Sequence, residues 1–255
     1  MSSLIYSHFL NVDNAGDIYS CPLDYFKVDF QQSQKIDFNS LTEAMNFDLV
    51  LGGGGMLHDN IINEIEKLSQ NKKRKIIIWG AGLNEHDTIK QTYPKFLDTI
   101  DMVGLRDYKN PYEYVPCSSC MSHYFNIYQT ILSCHSIIVF EHKDLPIPLM
   151  QFPKRSNRIV FDENLGDILR FISSGETIIT NTYHGAYWSL LLNKKVLIWE
   201  PFSNRFLGLK PNVTFCNKID WQQKLSDIKH NNENYLIECR DINMKFCAKV
   251  KKLLF

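Results

Sequence analysis

The stretch ETIITNTYHGAYWSLLLNKKVLIWE, residues 176–200, constrains the fold more than any other part of the chain. Two β-branched runs, over 176–180 and 195–199, flank a segment of strong helix formers. Parallel strands need a crossover connection, and an α-helix is the usual one. The stretch therefore predicts a βαβ unit, and with it a parallel sheet.

A histidine lies where the helix of this unit should begin. Asn181 and Thr182 are both good N-cap residues, so we expect the helix to begin at about Tyr183. His184 would then lie in the first turn, at the edge of the sheet where open α/β folds bind ligands and where helix N-termini favour anions. A histidine before glycine at such a turn is also a common structural donor to a carbonyl group, and the local pattern allows both interpretations.

Three predicted strands in the first half of the chain end in glycine or charged residues. The strands cover 47–51, 75–79 and 102–105, and they run into GGGG, GAG and RD. Four consecutive glycines predict positive φ angles or the close approach of a ligand, with tight helix packing as the alternative. Arg106 is a suitable partner for a carboxylate or phosphate, although an Arg-Asp pair is also an ordinary surface feature.

Other elements follow from shorter patterns. Asn14, Gly16 and Asp17 form a turn after a strand over 4–9, and Asp17 can orient a hydroxyl, act as a base or simply form the turn. Ser40 with Glu43 predicts a capped helix that ends at about Met45. The remaining predictions are helices over 58–69, 164–172 and 234–255, strands over 136–140 and 213–215, an edge strand within 27–38, and a proline-rich loop over 144–155.

Composition excludes several classes of function. Lys and Arg total 28, as do Asp and Glu, so no global field recruits nucleic acid. The sequence has no apolar run of the roughly 20 residues that span a bilayer, so we expect a soluble cytoplasmic protein with at most weak contact at the inner membrane face. Cys117, Cys120 and His123 form a C-x-x-C-x-x-H run that lacks the second half of a zinc site, so we predict no metal and reduced thiols.

Five motifs follow one another along the chain. They are NAGD, then LGGGG, IIIWGAG and GLRD after three successive strands, and finally ITNTYHGAYWSLLLNKKVLIW. In this order they resemble the polysaccharide pyruvyl transferase family, over roughly Asn14 to Lys210, with TYHG as the form of a variant branch. The resemblance implies an α/β fold of two Rossmann-like parallel-sheet halves, similar to GT-B glycosyltransferases, with the active site between them. We expect halves over 1–125 and 126–232, followed by a C-terminal helix over 233–255.

The resemblance also implies an activity: transfer of the pyruvyl group of phosphoenolpyruvate to a sugar, giving a pyruvate ketal in surface polysaccharide biosynthesis. No cofactor is expected beyond phosphoenolpyruvate as co-substrate, and the sugar acceptor is free or lipid-linked. His184 and Asp17 are the catalytic candidates. The other candidates are Arg106, Arg205, Lys210, Gly53 and Gly54 for the donor, and Asn14, Thr182 and Tyr183 for the acceptor.

One position departs from the family pattern. Many members have an arginine two residues before the histidine, where this chain has Thr182. We therefore expect Arg106, Arg205 or Lys210 to supply the missing positive charge. Two other classes of function remain open, a GT-B-type glycosyltransferase that uses a nucleotide sugar and a noncatalytic saccharide-binding protein.

Overall fold

The structure is a computed structural model. It describes residues 4–30, 33–44, 46–70, 74–86, 88, 90–160, 163–228 and 233–255. Two parallel sheets, one in each half of the chain, form its framework. The first has six strands in the order β2-β1-β3-β4-β5-β6. Their bounds are β1 Leu4–His8, β2 Gln34–Asp37, β3 Asp48–Gly52, β4 Ile76–Ala81, β5 Met102–Leu105 and β6 Glu113–Tyr114.

The second sheet has five strands in the order β11-β10-β9-β7-β8. Their bounds are β7 His135–Glu141, β8 Lys154–Ser156, β9 Gly175–Thr180, β10 Lys195–Trp199 and β11 Thr214–Cys216. Every pair of neighbouring strands in both sheets is parallel. The prediction of an α/β fold with two parallel-sheet halves is confirmed.

Eight α-helices connect or cover these strands in the described part of the chain. They are α1 Ala15–Ile18, α2 Leu23–Phe26, α3 Asp59–Ser69, α4 Tyr124–Tyr128, α5 Leu165–Ser173, α6 Tyr183–Leu191, α7 Trp221–Asp227 and α8 Tyr235–Leu254. Short 3-10 helices cover Lys27–Asp29, Phe38–Ala44, Lys95–Thr99, Ser118–Met121 and Asn204–Gly208. Among the helices described, none has the length and apolarity needed to cross a membrane.

The βαβ unit predicted over 176–200 is present. β9 and β10 are adjacent and parallel, and α6 connects them. Thr182 is the N-cap of α6, and its side chain accepts a hydrogen bond from the Gly185 backbone N–H at 2.9 Å. The helix therefore begins at Tyr183 as predicted, and the positive end of its dipole lies at the carboxyl edge of β9.

Two local predictions are wrong. Ser40 does not cap an α-helix, because Phe38–Ala44 forms 3-10 turns that are interrupted at Ser40, where φ is −108° and ψ is 23°. Met45, where that helix was expected to end, lies outside the described residues. The proline-rich segment over 144–155 is not loop throughout, since Lys154 and Arg155 begin β8 and pair with β7.

The C-terminal helix α8 packs against both halves. In the first half, the Phe246 ring meets the Trp79 ring edge to face at 5.3 Å, and Asn243 Oδ1 accepts a hydrogen bond from Trp79 Nε1 at 2.8 Å. At its other end, Tyr235 and Leu236 belong to the apolar core of the second half. The helix therefore ties the two sheets together and fixes how their carboxyl edges face each other.

Candidate active site

A cavity of about 270 Å³ lies between the carboxyl edges of the two sheets. Its walls come from segments that follow β1, β3, β4 and β5 in the first half and β7, β8, β9 and β10 in the second. The lining residues are Phe9, Val12, Asn14, Asp17, Gly55, His58, Asn84, His86, Arg106, His142, Leu145, Asn157, Thr182, Tyr183, His184, Phe202 and Arg205. Both halves contribute residues to this cavity, and the carboxyl edge of an open α/β sheet is where such proteins bind ligands.

Most of the predicted site residues meet in this cavity, although they come from distant parts of the sequence. Its walls include Asn14, Asp17, Arg106, Thr182, Tyr183, His184 and Arg205. Lys210 does not line it, because its ammonium group forms an ion pair with Glu238 of α8 and lies 5.4 Å from the centre of the Tyr108 ring. We therefore do not assign Lys210 to donor binding.

The glycine loop after β3 supports the cavity rather than lining it along its length. Gly53 and Gly54 have φ angles of +49° and +75°, as four consecutive glycines predicted. A Cβ atom on Gly53 would clash with Ser20, and one on Gly54 would lie 3.1 Å from Asp17 Oδ1. Neither glycine reaches the cavity, whereas Gly55 does. The loop thus makes room for α1 and for the Asp17 carboxylate, which corrects the expectation of direct donor contact by Gly53 and Gly54.

His184 is enclosed on three sides. Its Nε2 lies 3.5 Å from the Cys117 thiol, and its ring is tilted against Trp188 with the centroids 5.2 Å apart. Its Nδ1 edge lies so close to Gly16 that a Cβ atom there would be 2.0 Å away. Only a glycine at position 16 leaves room for the imidazole in this place.

This close contact predicts the effect of Gly16→Ala. The added methyl group must displace the His184 ring, so we expect the free energy of unfolding to fall by about 1–3 kcal/mol, as is typical of overpacking. Denaturant unfolding measures that change, and NMR of labelled histidine should show shifted His184 ring resonances. Ile18→Val on the same helix is the control, since it removes a methyl group. Unshifted resonances in Gly16→Ala would contradict the placement of the ring.

Two arginine side chains provide the positive charge of the cavity. Arg106 is only 2% exposed, and its Cζ atom lies 3.8 Å from the centre of the Tyr183 ring. Arg205 lies against Phe202, with its Cζ atom 4.7 Å from that ring centre. Among the described residues, Nε and Nη1 of Arg106 and Nε and Nη2 of Arg205 have no hydrogen-bond partner. Buried donors without partners are costly, so these guanidinium groups are suited to hold an anionic ligand.

The charges of these groups act on one another. Burial and, to a smaller extent, the charge of Arg106 lower the pKa of Arg205 to about 10, while Asp17 opposes the change. Burial also raises the pKa of Asp17, against the effect of both arginines. For His184, burial and then the two arginines hold the pKa well below its ordinary value. The cavity therefore combines two cations with a neutral imidazole, a combination that favours an anion.

Asp107 lies beneath the Arg106 side chain and is fully buried. Its Oδ2 atom accepts a hydrogen bond from the Leu83 backbone N–H at 2.8 Å. Burial raises the pKa of Asp107 to about 6, although Arg106 and the hydrogen bond from Leu83 act in the opposite direction. The folded state therefore holds this proton more tightly than the unfolded state, whose aspartate has its ordinary pKa.

A pH dependence of stability follows from Asp107. As pH rises from about 4 to about 6, the wild type should lose about 3 kcal/mol of unfolding free energy relative to Asp107→Asn, which cannot titrate. Denaturant unfolding at a series of pH values measures this difference. Asp227→Asn, at the exposed end of α7, is the control and should follow the wild-type curve. A constant difference between wild type and Asp107→Asn would show that Asp107 does not titrate in this range.

Among the described residues, one group has the composition of a metal site. Ligand atoms of His8, Cys21 and Asp24 lie within 4.8 Å of one another. The Lys35 ammonium group is hydrogen-bonded to Asp24, so a positive charge is already present there. The C-x-x-C-x-x-H run does not converge on one point. Cys117 contacts His184, Cys120 lies 3.4 Å from Asn243 Nδ2, and the His123 ring packs on Tyr124.

Several residues of the cavity were not predicted from the sequence. Asn157 joins the two halves, since its carbonyl accepts from the Ala15 N–H and its side-chain amide donates to Asn14 Oδ1 at 3.3 Å. His86 and His142 flank the Phe202 ring at 5.4 and 5.5 Å. These residues lie in loops without a motif, so only the position of their loops at strand ends could have indicated them.

Comparison with known proteins gives one family. The model of the family described as polysaccharide pyruvyl transferase matches residues 4–198. None of the curated proteins matches the chain. Among solved structures, a functionally uncharacterized protein from Klebsiella pneumoniae subsp. pneumoniae NTUH-K2044 is 18% identical, with a TM-score of 0.47 over 84% of this chain and 92% of that one. An alpha-glucosyltransferase in complex with UDP is 8% identical, with a TM-score of 0.44 over 99% of this chain and 95% of that one.

Proposed function

Because this chain belongs to the polysaccharide pyruvyl transferase family, we propose that it transfers the pyruvyl group of phosphoenolpyruvate to a sugar and forms a pyruvate ketal. One observation carries the proposal for this chain. Arg106 and Arg205, two buried cations whose donors lack partners among the described residues, line the same cavity as His184. An anionic donor and a proton-transfer group would meet there. Under this proposal the protein acts in the cytoplasm, in surface polysaccharide biosynthesis.

The donor requires cations at this position. Phosphoenolpyruvate carries about three negative charges near neutral pH. In the proposal, Arg106 and Arg205 bind its carboxylate and phosphate, which guanidinium groups can contact through paired N–H donors. Thr182 cannot take the place of a cation, because its hydroxyl caps α6. The two arginines therefore supply the charge that many family members have at that position.

The reaction requires one proton donor and one proton acceptor. A first sugar hydroxyl adds to the second carbon of phosphoenolpyruvate, while a proton is added to the methylene carbon, which becomes a methyl group. A second hydroxyl of the same sugar then forms a bond to the second carbon, and the bond between this carbon and the phosphate oxygen breaks. Phosphate leaves with the proton of the second hydroxyl. In the proposal His184 and Asp17 perform these proton transfers, and both side chains line the cavity.

We assign Asn14 to the sugar. Its Oδ1 atom accepts hydrogen bonds from the Gly16 N–H and from Asn157. The NH₂ group of the amide is therefore the part that can donate to a sugar hydroxyl. Thr182 and Tyr183 also line the cavity, but they cap α6 and support Arg106, so in the proposal they shape the acceptor pocket rather than donate to the sugar.

Phosphate release tests this proposal. Purified protein is incubated with phosphoenolpyruvate and a panel of free and lipid-linked sugars, and inorganic phosphate is measured. We expect release that depends on both the donor and one class of acceptor. Release without an acceptor would indicate hydrolysis only. Turnover of a nucleotide sugar, with addition of a hexose to the acceptor, would show a glycosyltransferase, and sugar binding without any turnover would show a noncatalytic protein.

A further inference from the structure

A buried chain of hydrogen-bonding groups ends at His184. The Trp188 indole Nε1 donates to Ser119 Oγ at 3.0 Å, Ser119 Oγ lies 3.2 Å from Cys117 Sγ, and Cys117 Sγ lies 3.5 Å from His184 Nε2. Ser119, Cys117 and Trp188 are all fully buried. The chain approaches the imidazole from the side opposite Gly16.

The indole of Trp188, the first group in this series of hydrogen bonds, sets the direction of all of them. An indole nitrogen can only donate a hydrogen bond, so Ser119 Oγ accepts from Trp188. The Ser119 hydroxyl proton then finds an acceptor in Cys117 Sγ, and the thiol proton finds one in His184 Nε2. In the reverse direction, the Ser119 hydroxyl proton would have no acceptor among the described residues, which is costly in a fully buried position.

The state of the thiol agrees with this direction. Burial raises the pKa of Cys117, although the Ser119 hydroxyl and N–H lower it in turn, so the sulfur keeps its proton at neutral pH. The backbone that carries the thiol is also held in place, since the Tyr187 hydroxyl donates to the Cys117 carbonyl at 2.9 Å.

We propose that Cys117 is a positioning residue that holds His184 in the Nδ1–H tautomer, with Nε2 accepting from the thiol and the proton on the edge that faces Gly16 and α1. The inference rests on the proposed function in one respect. It divides the two proton-transfer roles, because a ring whose Nε2 accepts from the thiol has no free lone pair towards the cavity. His184 therefore cannot take a proton there, and it gives one as the imidazolium, after the negative charge of bound phosphoenolpyruvate has brought a second proton to the ring. Asp17, on the α1 side, is then the acceptor for a sugar hydroxyl proton.

Nitrogen NMR of ring-labelled histidine tests this assignment directly, since the two tautomers give distinct ring nitrogen shifts. The full chain is measured at neutral pH, and His184→Gln identifies the His184 signals among those of the eight histidines. We expect the Nδ1–H form in the wild type and in Cys117→Ser, whose hydroxyl can still donate. Cys117→Ala should show a mixture of the two tautomers or the Nε2–H form. An Nε2–H tautomer in the wild type, or an unchanged Nδ1–H signal in Cys117→Ala, would overturn the proposal.

Kinetics give a second readout. Cys117→Ala should lower kcat by roughly tenfold to a hundredfold, the range typical when a group that orients a functional histidine is removed, with an unchanged KM for phosphoenolpyruvate. Cys117→Ser should restore most of kcat. If Cys117→Ala does not fold, Trp188→Phe replaces it, because that variant removes the first donor of the chain and should also mix the tautomers. An Nδ1–H signal without any pyruvyl transfer would contradict only the proposed function.

Discussion

His184→Ala is expected to lower kcat by roughly 10²- to 10⁴-fold, the range for the loss of a residue that transfers a proton in the transition state. The imidazole lines the cavity that both arginines share, and it lies at the N-terminus of α6. The KM for phosphoenolpyruvate should change little, because the guanidinium groups stay in place. Steady-state phosphate release at saturating acceptor measures both constants.

His123→Ala is the matched control for this variant. That histidine packs on Tyr124, and it is not among the residues that line the cavity. We expect its kcat to equal that of the wild type. Circular dichroism should confirm that His184→Ala is folded, because the side chain it removes fills space beside Trp188. A near-normal kcat with weaker acceptor binding would make His184 a binding residue instead.

Arg106→Ala is expected to raise the KM for phosphoenolpyruvate by roughly tenfold to a hundredfold, as loss of a charge-assisted hydrogen bond does. If this charge also stabilises the departing phosphate, kcat falls as well. Arg106→Lys should recover only part of the effect, because an ammonium group cannot make paired contacts and cannot stack on Tyr183 in the same way. Arg205→Ala should behave like Arg106→Ala.

The dependence of kcat on pH shows whether these variants act through the lost charge or through lost packing. Both arginines lower the pKa of His184, so removal of either should move that pKa upward, towards its ordinary value. Arg170→Ala is the control, since its guanidinium group is exposed and pairs with Asp167 on α5. If Arg106→Ala and Arg205→Ala leave the KM for phosphoenolpyruvate unchanged, the donor does not bind between these two side chains.

Local patterns were sufficient to predict much of the fold. The β-branched runs around α6 gave β9 and β10, and the capping chemistry of Thr182 gave the start of the helix, because both depend on neighbours in sequence. The polar residues at strand ends could also be predicted to lie near one another, because parallel strands present their carboxyl ends at one edge of the sheet. The prediction that Ser40 caps an α-helix is wrong, because the capping pattern alone does not determine the backbone conformation of that segment.

Contacts between distant residues could not be predicted. The sequence makes Lys210 a candidate to bind the donor, but in the structure its ammonium group pairs with Glu238 of α8. The Asn157 contacts with Asn14 and Ala15 join the two halves through a loop that has no motif. Cys117 was considered as a zinc ligand because of Cys120 and His123, yet its neighbour in space is His184. In each case the deciding partner lies far away in sequence and has no periodic pattern.

The product of the reaction tests the proposed activity most directly. The protein is incubated with phosphoenolpyruvate that is isotopically labelled at its second carbon and with the acceptor selected by phosphate release, and the purified sugar product is examined by mass spectrometry and carbon NMR. We predict a sugar that has gained one pyruvyl unit, with the labelled carbon bonded to two sugar oxygens as a ketal and one phosphate released for each product. A product that has gained a hexose, or a sugar that never carries the label, would contradict pyruvyl transfer.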